Sequence, residues 1–468
     1  MKTVFPPTVA FIIVVLLCFH PLILSKNAQY AINSEKSSFL KYVVNDVFIG
    51  ELKHVIKITN LTQRRVDGVN LYVPLVNNET ARHYAILYNV ESTKNYSHLL
   101  DGSGNMYVYW KNLIIPQGQT FTVELNYRVL SFSTTYTVNS SMIRSYDESS
   151  ELYIKYTQPE ELIESDNREI VEKARDITQG VENLYEKARL IYSFVINYLQ
   201  YEVQDEERGA LWALENRVGD CSEYSYLFVA LCRAAGIPAR VQAGFAFHYA
   251  GQVLEDGHMW AEYYLENYGW IPVDATWQLF NAMDNKHFSS IWSIPETIPY
   301  SNYYINGTDT SGLVNGQMIQ LTALKPSAFD DYIFAQNITA AVQRIKQAET
   351  AISIGKIFGA SIVFSSETRE VEQKLLNAKI HVQNAVDTWG TSAQIASSNA
   401  LLALENAEQA LYDVWMLIFK AFALYMGILI ALVLILIVFF RRPRKGLSGR
   451  VYTSHIATVT FNINVTWV

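Results

Sequence analysis

From Ala421 to Phe440 the chain runs for twenty residues without a charge. As a helix, a stretch of that length matches the thickness of a bilayer core, and inside a bilayer only a helix or a closed barrel satisfies every backbone polar group. A buried helix of a soluble domain would show a polar side, and this run has none. It predicts one transmembrane helix over 417–440. Arg441, Arg442, Arg444 and Lys445 follow at once, and such a cluster is retained on the cytoplasmic side. The expectation is a single-pass cell-membrane protein with a short cytoplasmic tail at 441–468 and with Lys26 to about Met416 outside the cytoplasm.

The other end agrees. Lys2 followed by the apolar Val9 to Leu24 reads as the charged and hydrophobic regions of a secretory signal, so residues 1–25 are expected to be a signal peptide or an uncleaved signal anchor. Sequons at Asn60, Asn78, Asn95, Asn139, Asn306 and Asn337 lie in the proposed ectodomain and suggest a cell-surface glycoprotein. The match at Asn464 falls in the expected tail, where it would go unused. Only Cys221 and Cys232 lie between the two end segments. On one helix they would be about 16 Å apart, too far for a disulfide, so no intramolecular disulfide framework is expected. The formal charge of −8 includes the basic tail. No basic face accompanies the aromatic residues, which argues against nucleic acid as a partner.

Between the ends the pattern changes twice. Tyr42–Val44, Val55–Ile58, Val69–Val73, Met106–Trp110 and Phe121–Leu125 are β-branched or aromatic runs, separated by turn residues such as Gly102–Asn105 and Pro116–Gly118. They predict a β-sandwich over 33–145. Helical periodicity then takes over, with Ile170, Ala174 and Ile177, and with Leu184, Ala188, Ile191 and Val195. A helix starts at Cys221 and stops before Gly236 and Pro238, and strands follow through Val241–Phe245 and the segments of His258 and Asp274. Helices followed by antiparallel strands, with Gln317–Thr322 as a last strand, describe an α+β domain over 150–323. Over 327–414 three stripes recur at heptad-like spacing: Ile338, Ala341, Ile345, Ala348, Ile352; then Val371, Leu375, Ala378, Val382, Ala385, Trp389; then Ala396, Ala400, Ala403, Ala407, Ala410, Val414. They predict a helical bundle or coiled-coil stalk leading into the span. An intrachain stalk is preferred to oligomerisation through these stripes.

Three short segments carry the chemistry. Cys221 begins its helix, where free backbone N–H groups and the helix dipole favour a thiolate. Asp220, Ser222 and Glu223 around it are polar, unlike the surroundings of Cys232 near Phe228, which suit a small core residue. His258, Trp260 and Glu262 alternate along a strand and share one face. Asp274 lies on the next strand, beyond a turn near Asn267–Gly269. For His258 and Asp274 to share a face, the connecting loop must hold an odd number of residues or the pair must contain a bulge. A thiol, an imidazole and a carboxylate in this order offer a nucleophile, its base and the group that orients the base.

The segments Gly219-Asp220-Cys221, Arg233-Ala234-Ala235-Gly236-Ile237-Pro238-Ala239-Arg240, His258-x-Trp260-x-Glu262 and Gly269-Trp270-Ile271-Pro272-Val273-Asp274-x-Thr276 resemble, in that order, the transglutaminase-like superfamily of microbial transglutaminase-core type. The resemblance covers about Tyr185 to Trp277 and leaves out the sandwich, stalk and tail. It implies a papain-like core with Cys221 as nucleophile, His258 as base then acid, and Asp274 as orienter. Arg240 is expected to pair with a carboxylate. The oxyanion donors are expected among the backbone N–H of Cys221 and the side chains of Gln200, Tyr201 and Trp212. No cofactor and no metal cluster are expected. The activity implied is attack on a peptide or glutamine amide carbonyl through a thioacyl enzyme, with hydrolysis favoured over crosslinking and a protein or peptide substrate outside the cytoplasm. The competing reading is a non-catalytic surface adhesin or structural protein with a vestigial core.

Overall fold

The computed structural model describes residues 39–78 and 82–441. The expected signal segment with Cys18, the basic residues beyond Arg441 and the sequon at Asn464 lie outside the described residues.

The first layer grows from two long strands, Tyr42–Asn60 and Thr120–Tyr136, paired antiparallel from Tyr42↔Tyr136 to Thr59↔Thr120 with a bulge at Val44/Asp46. His83–Ser92 adds to the second of them. The facing sheet orders Tyr304–Asn306, Val66–Pro74, Met106–Ile115 and Ser97–Leu100. Alternate residues point inward because the side-chain period of a strand is two. Leu52, Ile56 and Ile58 meet Val69, Leu71, Val73, Val108 and Trp110 there in a closed apolar core.

One boundary differs from the expectation from the sequence. Leu313–Ala323 does not belong to the central sheet; it pairs with the first strand from Gly50↔Ala323 to Asn60↔Leu313. Tyr304–Asn306 likewise joins the other sandwich sheet. A nineteen-residue strand left at an edge would present a long row of unpaired N–H and C=O groups, and this late segment covers it. The central domain reaches back as well. Val253–Leu254 extends the same sheet beside Ile319 and Gln320, and Ala282–Met283 pairs with Thr135 and Thr134. Asn60 closes this corner. It is fully buried, and its amide donates to the carbonyls of Arg64 and Ile115 at 2.8 Å each, so the first sequon is not presented for glycosylation.

The central domain is an antiparallel sheet in the order Leu279–Phe280, Gly269–Asp274, His258–Leu265, Ala239–Ala246, His287–Ile291. The helix Cys221–Ala234 packs on it and is buried from Ser222 to Arg233. The helices Arg168–Thr178, Leu184–Tyr198 and Gly209–Asn216 wrap this helix. A buried ionic cluster joins the two domains. Glu262 receives Arg240 Nε and Nη2 at 2.9 and 2.7 Å, Gln242 Nε2 at 2.9 Å, and Arg82 Nη2 from the sandwich side at 2.9 Å. Burial alone would raise the Glu262 carboxyl, but the two guanidinium charges outweigh it and hold the group ionised.

The three stripes of the stalk are buried against one another within the chain, in the helices Tyr332–Ile357, Ser365–Thr388 and Ala393–Arg441. Alanine at the contacts of the third helix lets the axes approach closely. The bundle rests on the sandwich. Trp389 packs against Tyr84, Phe329 and Phe334, and Tyr42 Oη donates to Asp387 Oδ1 at 2.6 Å. The last helix continues unbroken to Arg441, and its apolar second half is long enough to cross a membrane and is not buried within the protein.

Candidate active site

The loop before Cys221 is shaped by its own carboxylates. Asp220 caps the helix, its Oδ1 accepting from Ser222 N at 3.0 Å, while Glu223 Oε2 accepts from Asp220 N at 3.1 Å. This reciprocal capping box fixes where the helix starts. It places Cys221 at the first helical position, partly exposed. Only glycine fits at 219, because a Cβ there would lie 2.3 Å from Glu223 Cβ. Gln200–Tyr201 pairs in parallel with Val218–Gly219, which sets Tyr201 beside the segment that leads into Cys221. Burial first, then the proximity of Cys221, pushes the Tyr201 phenol up. Trp212 stands on the neighbouring helix under the Arg208 guanidinium.

His258 opens its strand. The hairpin register runs from Ala261↔Val273 to Leu265↔Gly269 and leaves Glu266-Asn267-Tyr268 as the loop. Asn267 and Gly269 take the left-handed conformation, with φ of 73° and 81°. Three is odd, so His258 and Asp274 fall on the same face of the pair. His258 Nε2 and Asp274 Oδ2 are 2.7 Å apart. That contact leaves Nδ1 as the ring nitrogen free of Asp274, and Cys221 adds to the upward shift of the imidazole.

Asp274 is fully buried and receives four donors. Oδ1 accepts from Thr276 Oγ1 at 2.6 Å and from Trp277 N at 2.9 Å; Oδ2 accepts from His258 Nε2 and, at 3.2 Å, from His287 Nε2. Burial would raise this carboxyl, but His258 and His287 outweigh it and hold it far below the usual carboxylate range. The same attraction acts on the rings. Desolvation would lower both imidazoles, yet the charge and hydrogen bond of Asp274 bring His258 up to about 9, with Cys221 adding to the shift. Asp274 and Asp284 together bring His287 up to about 9. His287 Nδ1 meets Asp284 Oδ1 at 3.0 Å, so its ring bridges two carboxylates.

The second histidine was not foreseen from the sequence. It enters the site because Phe288 and Ser289 pair with Phe245 and Gly244, alongside the partner of His258. The only local trace is the Asp284-x-x-His287 spacing of a turn into a strand. Indoles enclose the pair: Trp260 and Trp277 each lie against both rings. His258, Asp274 and His287 are also, among the described residues, the group whose ligand types and mutual distances within 4.8 Å could hold a metal ion. Their nearest atoms stand at 2.7 and 3.2 Å, the spacing of hydrogen bonds to a shared oxygen. Arg240 pairs with a carboxylate, that of Glu262, as expected.

Residues 171–275 match the family model described as Transglutaminase-like superfamily. The chain is 40% identical over 72 residues to a protein-glutamine gamma-glutamyltransferase of Pseudomonas aeruginosa, covering 14% of this chain and 11% of that protein. It is 31% identical over 117 residues to the kyphoscoliosis peptidase of Mus musculus, covering 23% and 18%. The chain thus spans less than a fifth of the length of either curated relative. Among solved structures, a candidate cysteine protease of Cytophaga hutchinsonii aligns with a TM-score of 0.48 at 19% identity, over 61% of this chain and 93% of that one. Over these residues the central domain is similar to the transglutaminase-like superfamily.

Proposed function

We propose that this chain is a membrane-anchored cysteine enzyme that acts outside the cytoplasm on peptide or glutamine amide bonds, and that it hydrolyses them. The observation that carries the reading is the buried Asp274 carboxylate, fixed by four donors, with His258 Nε2 at 2.7 Å from it. In the proposed cycle the His258 imidazole already holds the proton drawn from the Cys221 thiol, as its raised value of about 9 favours, and the thiolate sulfur attacks the carbonyl carbon. The tetrahedral oxyanion is met by the backbone N–H of Cys221 and the hydroxyl of Tyr201. The imidazolium then gives its proton to the leaving amine, and the thioacyl enzyme forms. Water, deprotonated by His258, releases the acid and restores the thiol. His287 serves as a positioning residue that locks the carboxylate orienting His258.

A primary amine in place of water would give transfer, and the name of the Pseudomonas relative favours that second reading. The anchored topology rests on the apolar end of the last helix and on the basic residues after it.

The test is the rate of iodoacetamide alkylation of Cys221 at neutral pH in the full chain, with and without His258→Ala. Labelling that is fast in the native chain and falls by about a hundredfold in the variant supports the assembled pair. Equal slow labelling in both would turn the assignment toward the non-catalytic adhesin. Mass analysis of products formed from a glutamine peptide, with and without a lysine peptide, separates hydrolysis from transfer.

A further inference from the structure

The stalk hairpin turns over between Lys356 and Glu367, and the ten residues between them carry no charge. The large ones face outward: Ile357 is 82% exposed, Ile362 84%, and Phe358 and Val363 are also open. A helix–helix turn in water is normally polar, so this one needs a different solvent. Its height is fixed by the neighbouring helix. Gly359, at φ 70°, lies so near Tyr425 that a Cβ would come within 2.7 Å of the phenol oxygen, and Gly355 faces Ile418 in the same way. Tyr425 stands five residues beyond Lys420, the last charge before the apolar run, or about 7.5 Å along the helix axis.

The charges of the two segments end at one level. Glu367 pairs with Lys420 at 3.7 Å, and Lys356 with Glu372 at 3.1 Å. Beyond that level both segments offer only uncharged residues. We propose that the tip, Ile357–Phe364, dips into the lipid bilayer as a second contact beside the spanning helix. Lys356 and Lys420 would extend back to the headgroups. A depth of about 5–10 Å is that of interfacial insertion. The inference rests on reading Ala421–Phe440 as membrane-spanning. It has a consequence for the enzyme: a single helix leaves a stalk free to tilt, whereas two contacts fix the direction in which the active site faces.

The experiment uses the full chain with Cys18→Ser and Cys221→Ser, leaving Cys232, which is fully buried. Ile362→Cys, Val433→Cys and Gln373→Cys are each labelled with an environment-sensitive fluorophore and reconstituted into phosphatidylcholine vesicles. Emission is read against doxyl-labelled lipid and against aqueous iodide. The expected result is that the probe at 362 follows the probe at 433: most emission is lost to doxyl lipid and little to iodide, while the probe at 373 does the reverse. If 433 is lipid-quenched and 362 behaves like 373, the span stands and the tip proposal is wrong. If 433 is open to iodide, the span itself fails and the tip with it. Shielding of 362 from both quenchers would mean that a second copy of the chain covers the tip, and would overturn the lipid assignment.

Discussion

Asp274 accepts from four donors, and each has a different consequence if removed. His258 carries the proposed chemistry. His287 touches no reacting atom; it acts through the shared carboxylate oxygen and through Asp284. His287→Ala should slow Cys221 alkylation by roughly ten- to a hundredfold, the scale of a small misplacement of a reacting group, and should alter its pH profile. Unchanged alkylation kinetics with a lowered melting temperature would reduce His287 to a packing role. The pH dependence of stability has a definite sign. Both imidazoles rise from 6.5 in the unfolded chain to about 9 in the folded one. Their stabilisation is complete below about pH 6.5 and is lost as pH climbs through 9. Asp274 works the other way, contributing above its unfolded value of 3.8 and losing its contribution as pH falls below that. The melting temperature should therefore be highest between about pH 4 and 6.5 and decline toward pH 9, with a shallower decline in His287→Ala. A rise in melting temperature between pH 7 and 9 would contradict this account. That Cys221 starts a helix and that His258 and Asp274 lie on neighbouring strands was legible, because helix punctuation and strand alternation are local properties; the three-residue loop that sets their shared face was left open. His287 was not, since its place depends on which strand pairs with Ala239–Ala246.

At the scale of elements, strand identity could be read and strand partnership could not. The alternation of Val66–Pro74 or Met106–Ile115 states which residues face a core. Nothing in Leu313–Ala323 states that it lies along Tyr42–Asn60, some 260 residues earlier; that choice is settled by which edge would otherwise stay open. The buried cluster around Glu262 is of the same kind, since Arg82 and Arg240 come from two domains. Removing its anion takes from two buried guanidinium groups the carboxylate they share. Glu262→Gln should cost roughly 3–5 kcal/mol, the usual penalty for breaking a buried pair from one side. Arg82→Met should cost less, because Glu262 keeps Arg240, and should uncouple the sandwich from the central domain so that unfolding splits into two transitions. Denaturant titrations followed by tryptophan fluorescence and circular dichroism read both effects. A loss under about 1 kcal/mol for Glu262→Gln would mean the cluster is open to solvent.

For the whole molecule, the stalk connects the long apolar helix to the sandwich, and an ionisable group lies at that junction. Asp387 sits there nearly buried, with Tyr42 Oη donating to it and Lys41 as the nearby positive charge. Burial is the largest influence on its carboxyl and raises it above 3.8, outweighing both the Tyr42 hydrogen bond and Lys41. A buried acid with a raised value binds its proton more tightly in the folded state. Its ionisation therefore subtracts stability as pH rises above 3.8, and the loss is complete once pH has passed the folded value. Asparagine keeps an acceptor for Tyr42 and has nothing to ionise. Asp387→Asn should raise the melting temperature at pH 7–8 by a few degrees, on the order of 1 kcal/mol, and make little difference near pH 4. The opposite result, destabilisation at pH 7, would mean that the Asp387 charge and Lys41 hold the junction together. The variant also bears on activity. Asp387 is remote from Cys221, so a firmer junction should leave turnover of a small soluble peptide unchanged. Cleavage of a substrate tethered to the same membrane would change only if the stalk's attachment sets the reach of the active site.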